Sequence, residues 1–177
     1  MARAHWRAGC GGITMQPAGH HLAELNFGEL RHDWDDPRVA EFVAGLDLVN
    51  GLAARSPGFV WRLPDDDMNG EQTADGGAFG GNPRMASTLS VWESVAALEH
   101  FVWNTVHRQF YEKRALWYDA MGNSNLVMWW VPMGHRPTVA EGLARFAQLR
   151  DHGAGDAAFG WDWIRESLPP KPRKQGE

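Results

Sequence analysis

A stripe of aromatic and ionisable side chains in the second half of the chain has the residue types and spacing of a ligand-binding site. Its members recur at intervals of three and four residues, which places them along one side of a helix. They are Trp103, His107, Phe110 or Tyr111, Arg114, and Trp117 or Tyr118. A plain core is filled more simply by Leu and Ile, which carry no polar atoms that need partners. The stripe therefore predicts a cavity in which aromatic rings hold a ligand and ionisable groups act on it.

His107 and Arg114 are the candidate catalytic residues of this stripe. The imidazole of His107 could act as a general base or as the axial ligand of a haem iron. Its alternative use is as a neutral histidine, hydrogen-bonded at a surface between two copies of the chain. The guanidinium of Arg114 could bind a substrate carboxylate or a haem propionate through two parallel hydrogen bonds. Its alternative use is an internal salt bridge, for example with a carboxylate of the first helix.

The candidate ligand-binding residues lie both inside and outside the stripe. Within it, Trp103, Tyr111 and Trp117 could wall a flat molecule, although core packing would use them equally well. Outside it, the candidates are Asn104, Trp92, Trp129 and His135. For His135 the alternative is to cap the loop before the next helix. Glu24 could orient a ligand or a water molecule.

Composition argues against several other classes of function. The net charge is −5 at pH 7 and there is no basic block, so nucleic-acid binding has no support. Cys10 is the only cysteine, which excludes an internal disulfide and a multi-cysteine metal site. No histidine pair lies near a carboxylate with the spacing of a non-haem metal site. No run approaches the ~18 apolar residues of a membrane span, and residues 1–19 lack the apolar segment of a signal peptide. We therefore expect a cytoplasmic protein.

The stripe is predicted to lie on one long helix over residues 94–119. Ser94 is a good N-cap, and no proline or glycine interrupts the segment, so a single helix of about seven turns is predicted. The other predicted elements are strands at 20–30, 59–63, 86–91 and 126–132, helices at 37–55 and 138–151, a polar Gly-rich loop at 65–83, and an extended segment at 159–164.

This order of elements predicts an α+β fold. It is β-α-β-β-α-β with an additional C-terminal helix, which is the split, ferredoxin-like plan. We expect one domain over residues 20–165, a disordered extension at 1–19 and a disordered tail at 166–177, with Met15 as an alternative start. A sheet with helices on one face only leaves an apolar face to be buried, and a second copy is the usual solution. The sequence therefore predicts a homodimer.

Several motifs resemble known families. The element order, together with Trp92-Glu93-Ser94 and His107 in the second helix, resembles the antibiotic-biosynthesis-monooxygenase-like proteins of the dimeric α/β-barrel superfamily. A closer resemblance, over about residues 20–160, is to a bacterial family known as DUF3291, a domain of unknown function. The motifs that carry it lie at 22–26, 56–62, 90–94, 101–118, 129–132 and 134–137. The resemblance implies a dimeric α/β barrel.

The superfamily resemblance implies an oxidoreductase, a monooxygenase acting on a flat apolar small molecule. Its cofactor-free members oxygenate aromatic polyketides, and others bind or degrade haem through a histidine on the second helix. Both a haem-dependent and a cofactor-free enzyme are therefore open, with His107 as the metal ligand only if haem is bound. The alternatives are a non-catalytic dimer that binds a small molecule or haem, and a structural dimer whose aromatic stripe is the interface.

Overall fold

The computed structural model of the protein describes residues 16–105, 107–118 and 125–167. These residues form four strands and six helices, which confirms the α+β class. The elements are β1 (His20–Glu29), α1 (Ala40–Arg55), β2 (Phe59–Arg62), α2 (Asp65–Thr73), β3 (Met85–Trp92), α3 (Val95–Asn104), α4 (His107–Trp117), β4 (Leu126–Pro132), α5 (Val139–His152) and α6 (Trp161–Ser167). Residues 1–15 and 168–177, which include most of both predicted disordered ends and Met15, lie outside the described residues. None of the described helices is both long and apolar enough to span a membrane.

The four strands form one antiparallel sheet in the order β2-β3-β1-β4. Side chains alternate between the two faces of a strand, so β1 presents two different surfaces. Leu22, Glu24 and Asn26 point to one face, which we call the site face, and Ala23 and Leu25 point to the opposite face.

Helices cover both faces of this sheet. On the site face, Leu22, Trp92 and Met128 pack with residues of α3, such as Leu98 and Phe101. The opposite face is covered by α5 and α2, whose contributions include Val139, Leu143, Phe146 and Met68. A Cβ at Gly142 would lie only 2.7 Å from Leu25 Cδ2, so this glycine lets α5 approach the sheet closely. The predicted bare apolar face is therefore wrong, because the chain buries that face itself.

The predicted single helix over 94–119 is also wrong. α3 ends at Asn104, Thr105 has an extended backbone, and α4 begins at His107. The Thr105 hydroxyl donates to the Phe101 carbonyl at 2.6 Å and accepts from the His107 backbone N–H at 3.2 Å. The hydroxyl thus accepts a hydrogen bond at the start of α4 and donates one at the end of α3, because a threonine side chain can bond backbone groups that lack a partner at helix ends. At the other end of α3, the Ser94 cap is confirmed, with its hydroxyl accepting from Ala97 N at 3.2 Å.

Two further predictions of local structure are corrected. The segment 65–83 is not all loop, because α2 occupies its first half and buries Met68 and Gln72. Three aspartates in the first turn favour this helix by their interaction with its dipole. The segment 159–164 is not an extended element, because α6 begins at Trp161, although Phe159 makes an isolated bridge to Met128 of β4.

Candidate functional site

A cavity of about 660 Å³ lies on the site face, between the sheet and the helices α3 and α4. Glu24 and Asn26 of β1 contribute to its floor, and Phe101, His107 and Tyr111 contribute to its walls. We call it the larger cavity. Its volume is within the range of about 300–1,000 Å³ that is usual for small-molecule sites.

Glu24 is a buried ionisable group in this cavity, only 3% exposed. Asn26 Nδ2 donates to its Oε1 at 2.6 Å, and Ser90 Oγ donates to its Oε2 at 2.9 Å. Trp92 Nε1 donates in turn to Ser90 Oγ at 2.9 Å. Burial raises the pKa of Glu24 to about 7, although both hydrogen bonds to its carboxylate act in the opposite direction. A carboxyl group with this pKa can both take up and release a proton near neutral pH.

His107 lies at the start of α4 with its ring against Phe101, at a centroid distance of 4.8 Å. Burial lowers the pKa of its imidazole, and a hydrogen bond to the Val102 backbone acts against this shift. The Nδ1 atom is buried and has no hydrogen-bond partner among the described residues. The imidazole is therefore held in its neutral form at neutral pH.

Arg114 lies at the rim of the larger cavity and is exposed. Its guanidinium carbon is 4.0 Å from the centroid of the Tyr111 ring, and Nη1 donates to the Tyr111 carbonyl at 2.7 Å. No carboxylate of the described residues forms an ion pair with it. On the first helix, where a partner was considered, Glu41 pairs with Lys113 instead. The remaining donors of Arg114 are therefore open to a ligand at the rim.

Aromatic side chains form the wall at the end of α4. Trp117 is buried and packs on Phe42 at 5.4 Å. Tyr118 lies beside it, and burial raises the pKa of its phenol, which is therefore neutral. A Cβ at Gly28 would lie 2.6 Å from Tyr118 Cδ1, so only glycine in this position of β1 leaves space for the ring.

The structure brings together four of the predicted site residues, His107, Tyr111, Arg114 and Trp117, in the lining of the larger cavity. Trp103 lies behind this lining and packs edge-on against Tyr111 at 4.9 Å. Trp92 lines a second, smaller cavity of about 380 Å³ on the same face.

Three predicted ligand-binding residues lie outside both cavities. Asn104 is exposed, with its side chain 3.5 Å from His100. Trp129 is on the opposite face, where its Nε1 donates to Glu141 at 2.9 Å. His135 is exposed and lies 2.8 Å from the same carboxylate, which ties it to the first turn of α5.

Sequence reasoning assigned no catalytic role to Glu24 and did not identify Ser90, and it named Tyr118 only as the alternative to Trp117 in the stripe. A signal for Glu24 was present, because the alternation in β1 places Glu24 and Asn26 on one face. Two polar residues on one face favour exposure to solvent, however. Nothing local in the sequence shows that α3 and α4 lie over them.

The ionisable side chains of the site determine whether it could hold a metal or a haem. No cluster of three or more His, Cys, Asp or Glu side chains suited to a metal occurs in the described ranges. A haem iron needs an accessible ring nitrogen from His107. Nδ1 is buried and has no hydrogen-bond partner among the described residues, so ligation through Nδ1 would require the ring to turn.

Comparison with known proteins gives one match. No curated protein and no solved structure matches the chain. The model of the family DUF3291, described as a domain of unknown function, matches residues 21–175. Because this match covers most of the chain, the protein belongs to the DUF3291 family.

Proposed function

We propose that the protein is a cofactor-free oxidoreductase of the monooxygenase type, which binds a flat, largely apolar small molecule in the larger cavity. Glu24 is the proposed general base. The observation that carries the proposal is a buried carboxyl group with a pKa of about 7 in a cavity walled by aromatic rings. Perturbed ionisable groups inside a cavity are typical of catalytic sites.

In a cofactor-free oxygenase the substrate itself supplies the two electrons that reduce one atom of dioxygen to water. Removal of an acidic C–H or O–H proton makes the substrate a better electron donor. Glu24 would accept that proton, and the neutral imidazole of His107 lies in the same lining. Arg114 at the rim would bind an anionic substituent.

The order of the strands supports the wider relationship that the resemblance implies. The sheet order β2-β3-β1-β4 is compatible with the ferredoxin-like plan and with the antibiotic-biosynthesis-monooxygenase-like proteins. The dimeric α/β barrel stays a prediction. A second copy would need the sheet face that α2 and α5 already cover, which argues against this barrel.

A non-catalytic binding protein is the second candidate. It is favoured by the hydrogen bonds that already engage both oxygens of Glu24. In that case the network would stabilise the cavity and the ligand would leave unchanged.

Oxygen uptake with anthrone, a flat tricyclic molecule with an acidic C–H, tests the proposal. One anthrone and one dioxygen give one anthraquinone and one water. We expect the wild-type protein to accelerate uptake at pH 7.5, and Glu24→Gln to reduce the rate to that of buffer. Glu99→Gln, a change in an exposed carboxylate of α3, serves as the control and should retain the wild-type rate. A Glu24→Gln variant with full activity contradicts the assignment, and binding of anthrone without uptake favours the second candidate.

A further inference from the structure

The smaller cavity adjoins the larger one on the site face. From the place where the two cavities meet, it extends toward α1, α2 and the part of β3 that does not pair with β2. The residues that line both cavities are Asn26, Phe42, Phe101, His107, Phe110 and Tyr118. The two spaces are thus neighbours that share one set of walls.

A polar patch of the sheet forms the floor under the junction. In the pairing of β1 with β3, Glu24 lies opposite Ser90 and Asn26 lies opposite Thr88. Side chains of such pairs stand next to each other on one face of the sheet. Glu24 faces the larger cavity, Thr88 and Ser90 face the smaller one, and Asn26 faces both. The polar floor therefore runs from one cavity into the other.

Two groups of this floor remain available to a ligand. Glu24 and Ser90 are engaged with each other, and Ser90 also accepts from Trp92. Asn26 uses its Nδ2 on Glu24, so its carbonyl oxygen is left over. The Thr88 hydroxyl makes no hydrogen bond to any described residue. A hydroxyl group of a ligand over this pair could donate to Asn26 and accept from Thr88.

The charges around the smaller cavity favour an uncharged occupant. Arg62 forms a two-pronged ion pair with Asp65, at 2.5 and 2.9 Å. Asp47 is the remaining charged residue of the lining, and it is exposed. No cation in this lining is left unpaired for a carboxylate or a phosphate.

We infer that the two cavities form one site for a two-part ligand, with a flat aromatic part in the larger cavity and a neutral, hydroxyl-bearing part, such as a sugar, in the smaller one. This inference rests on the proposed function for the position of the aromatic part. Thr88 is the specificity-determining residue for the hydroxyl-bearing part. Phe110 and Tyr118 line both cavities, so a ligand that occupied both would contact these two rings.

Isothermal titration with three naphthalene probes tests this inference: 2-naphthol, 2-naphthyl β-D-glucopyranoside and 2-naphthyl phosphate. We expect the glucoside to bind about tenfold more tightly than 2-naphthol, the effect of one or two net hydrogen bonds. The phosphate should show no such gain. Thr88→Val should remove most of the gain for the glucoside and leave the affinity for 2-naphthol within about twofold.

Two controls separate binding from folding. Thr88→Ser keeps the hydroxyl and should retain the preference for the glucoside. Thr73→Val, at an exposed threonine of α2, should change neither affinity. The inference would be overturned if the wild type bound the glucoside and 2-naphthol equally, preferred the phosphate, or bound no probe. It would also be overturned if Thr88→Val lost the same affinity for both probes. Oxidation of anthrone together with equal affinities would overturn the two-part site alone and leave the proposed function standing.

Discussion

Burial favours the uncharged forms of both Glu24 and His107. Burial raises the pKa of the Glu24 carboxyl to about 7 and lowers that of the His107 imidazole. Near pH 6 neither of these two buried groups places a charge in the larger cavity, which suits an apolar ligand, and the charge of Arg114 lies at the rim. Above pH 7 the carboxylate form of Glu24 becomes the major one, and a base is then present beside the ligand.

The raised pKa of Glu24 predicts how stability depends on pH. The folded-state pKa of about 7 lies above the ordinary glutamate pKa of 4.5. Between these values the folded chain keeps a proton that the unfolded chain has lost, so the free energy of unfolding falls as pH rises through this window. The full effect is on the order of 3 kcal/mol.

Urea unfolding of the wild type and Glu24→Gln at pH 5 and pH 8 measures this effect. We expect Glu24→Gln to lose less stability than the wild type between the two pH values, because glutamine does not ionise. Glu99→Gln should behave as the wild type does. An equal loss in Glu24→Gln and the wild type would show that the carboxyl group does not titrate in this window.

Most residues of the stripe lie on one side of a helix as predicted, although the single long helix was wrong. His107, Tyr111, Arg114 and Trp117 all lie on α4, so their spacing of four, three and three residues still places them on one side. Trp103 lies on α3, beyond the break, and it is the member that does not line the larger cavity. The absence of glycine and proline predicted one continuous helix, whereas the break lies at Thr105, whose hydroxyl bonds the end of α3 and the start of α4.

The strands were predicted to within a few residues because their alternation is local. The layers on the sheet were not, since they depend on contacts between distant segments. α5 was predicted together with its N-cap, and the Thr138 hydroxyl accepts from Glu141 N at 3.1 Å. Its place on the opposite face depends on the close approach at Gly142, which no periodicity reveals.

Thr105→Ala tests whether the threonine hydroxyl holds the break between α3 and α4. The variant loses one bond to the Phe101 carbonyl and one from His107 N, so we expect a loss of about 1–2 kcal/mol in the free energy of unfolding. In the control, Thr73→Ala, an exposed hydroxyl bonded only to the Asn69 carbonyl is removed. If both variants lose the same stability in urea, the hydroxyl does not hold the break.

The contact between α1 and α4 depends on a glycine. A Cβ at Gly45 would overlap the ring of Phe110, so Gly45→Ala should destabilise the protein by about 1–3 kcal/mol through overpacking. Gly51 is on the same helix, and a Cβ there would meet only the Arg55 side chain at 3.6 Å. Gly51→Ala should therefore be neutral or stabilise by up to about 1 kcal/mol. Thermal unfolding measures both variants. Equal shifts of their melting temperatures would contradict the close packing of α1 on α4.

At the scale of the whole molecule, the sheet offers few surfaces for a second copy. Its opposite face carries α2 and α5. Along the outer edge of β4, Met128 exchanges two backbone hydrogen bonds with Phe159, at 2.8 and 2.9 Å. The other edge strand, β2, is only four residues long. Short or covered edges are a common protection against pairing between chains.

These features lead us to expect a monomer rather than the homodimer that the sequence predicts. A stable dimer generally buries more than ~1,000 Å² in total, much of it apolar, and the apolar face that was to supply this area is already buried within the chain. Light scattering coupled to size exclusion at micromolar concentration should give the 19.8 kDa of one chain. Twice that mass would show that a second copy docks on another surface or displaces α5.

Val139→Asp, which places a charge under α5 at a fully buried position, separates these two outcomes. We expect this variant to unfold if the chain is a monomer, or a dimer in which α5 stays on the sheet. A dimer in which α5 leaves the sheet would tolerate the substitution.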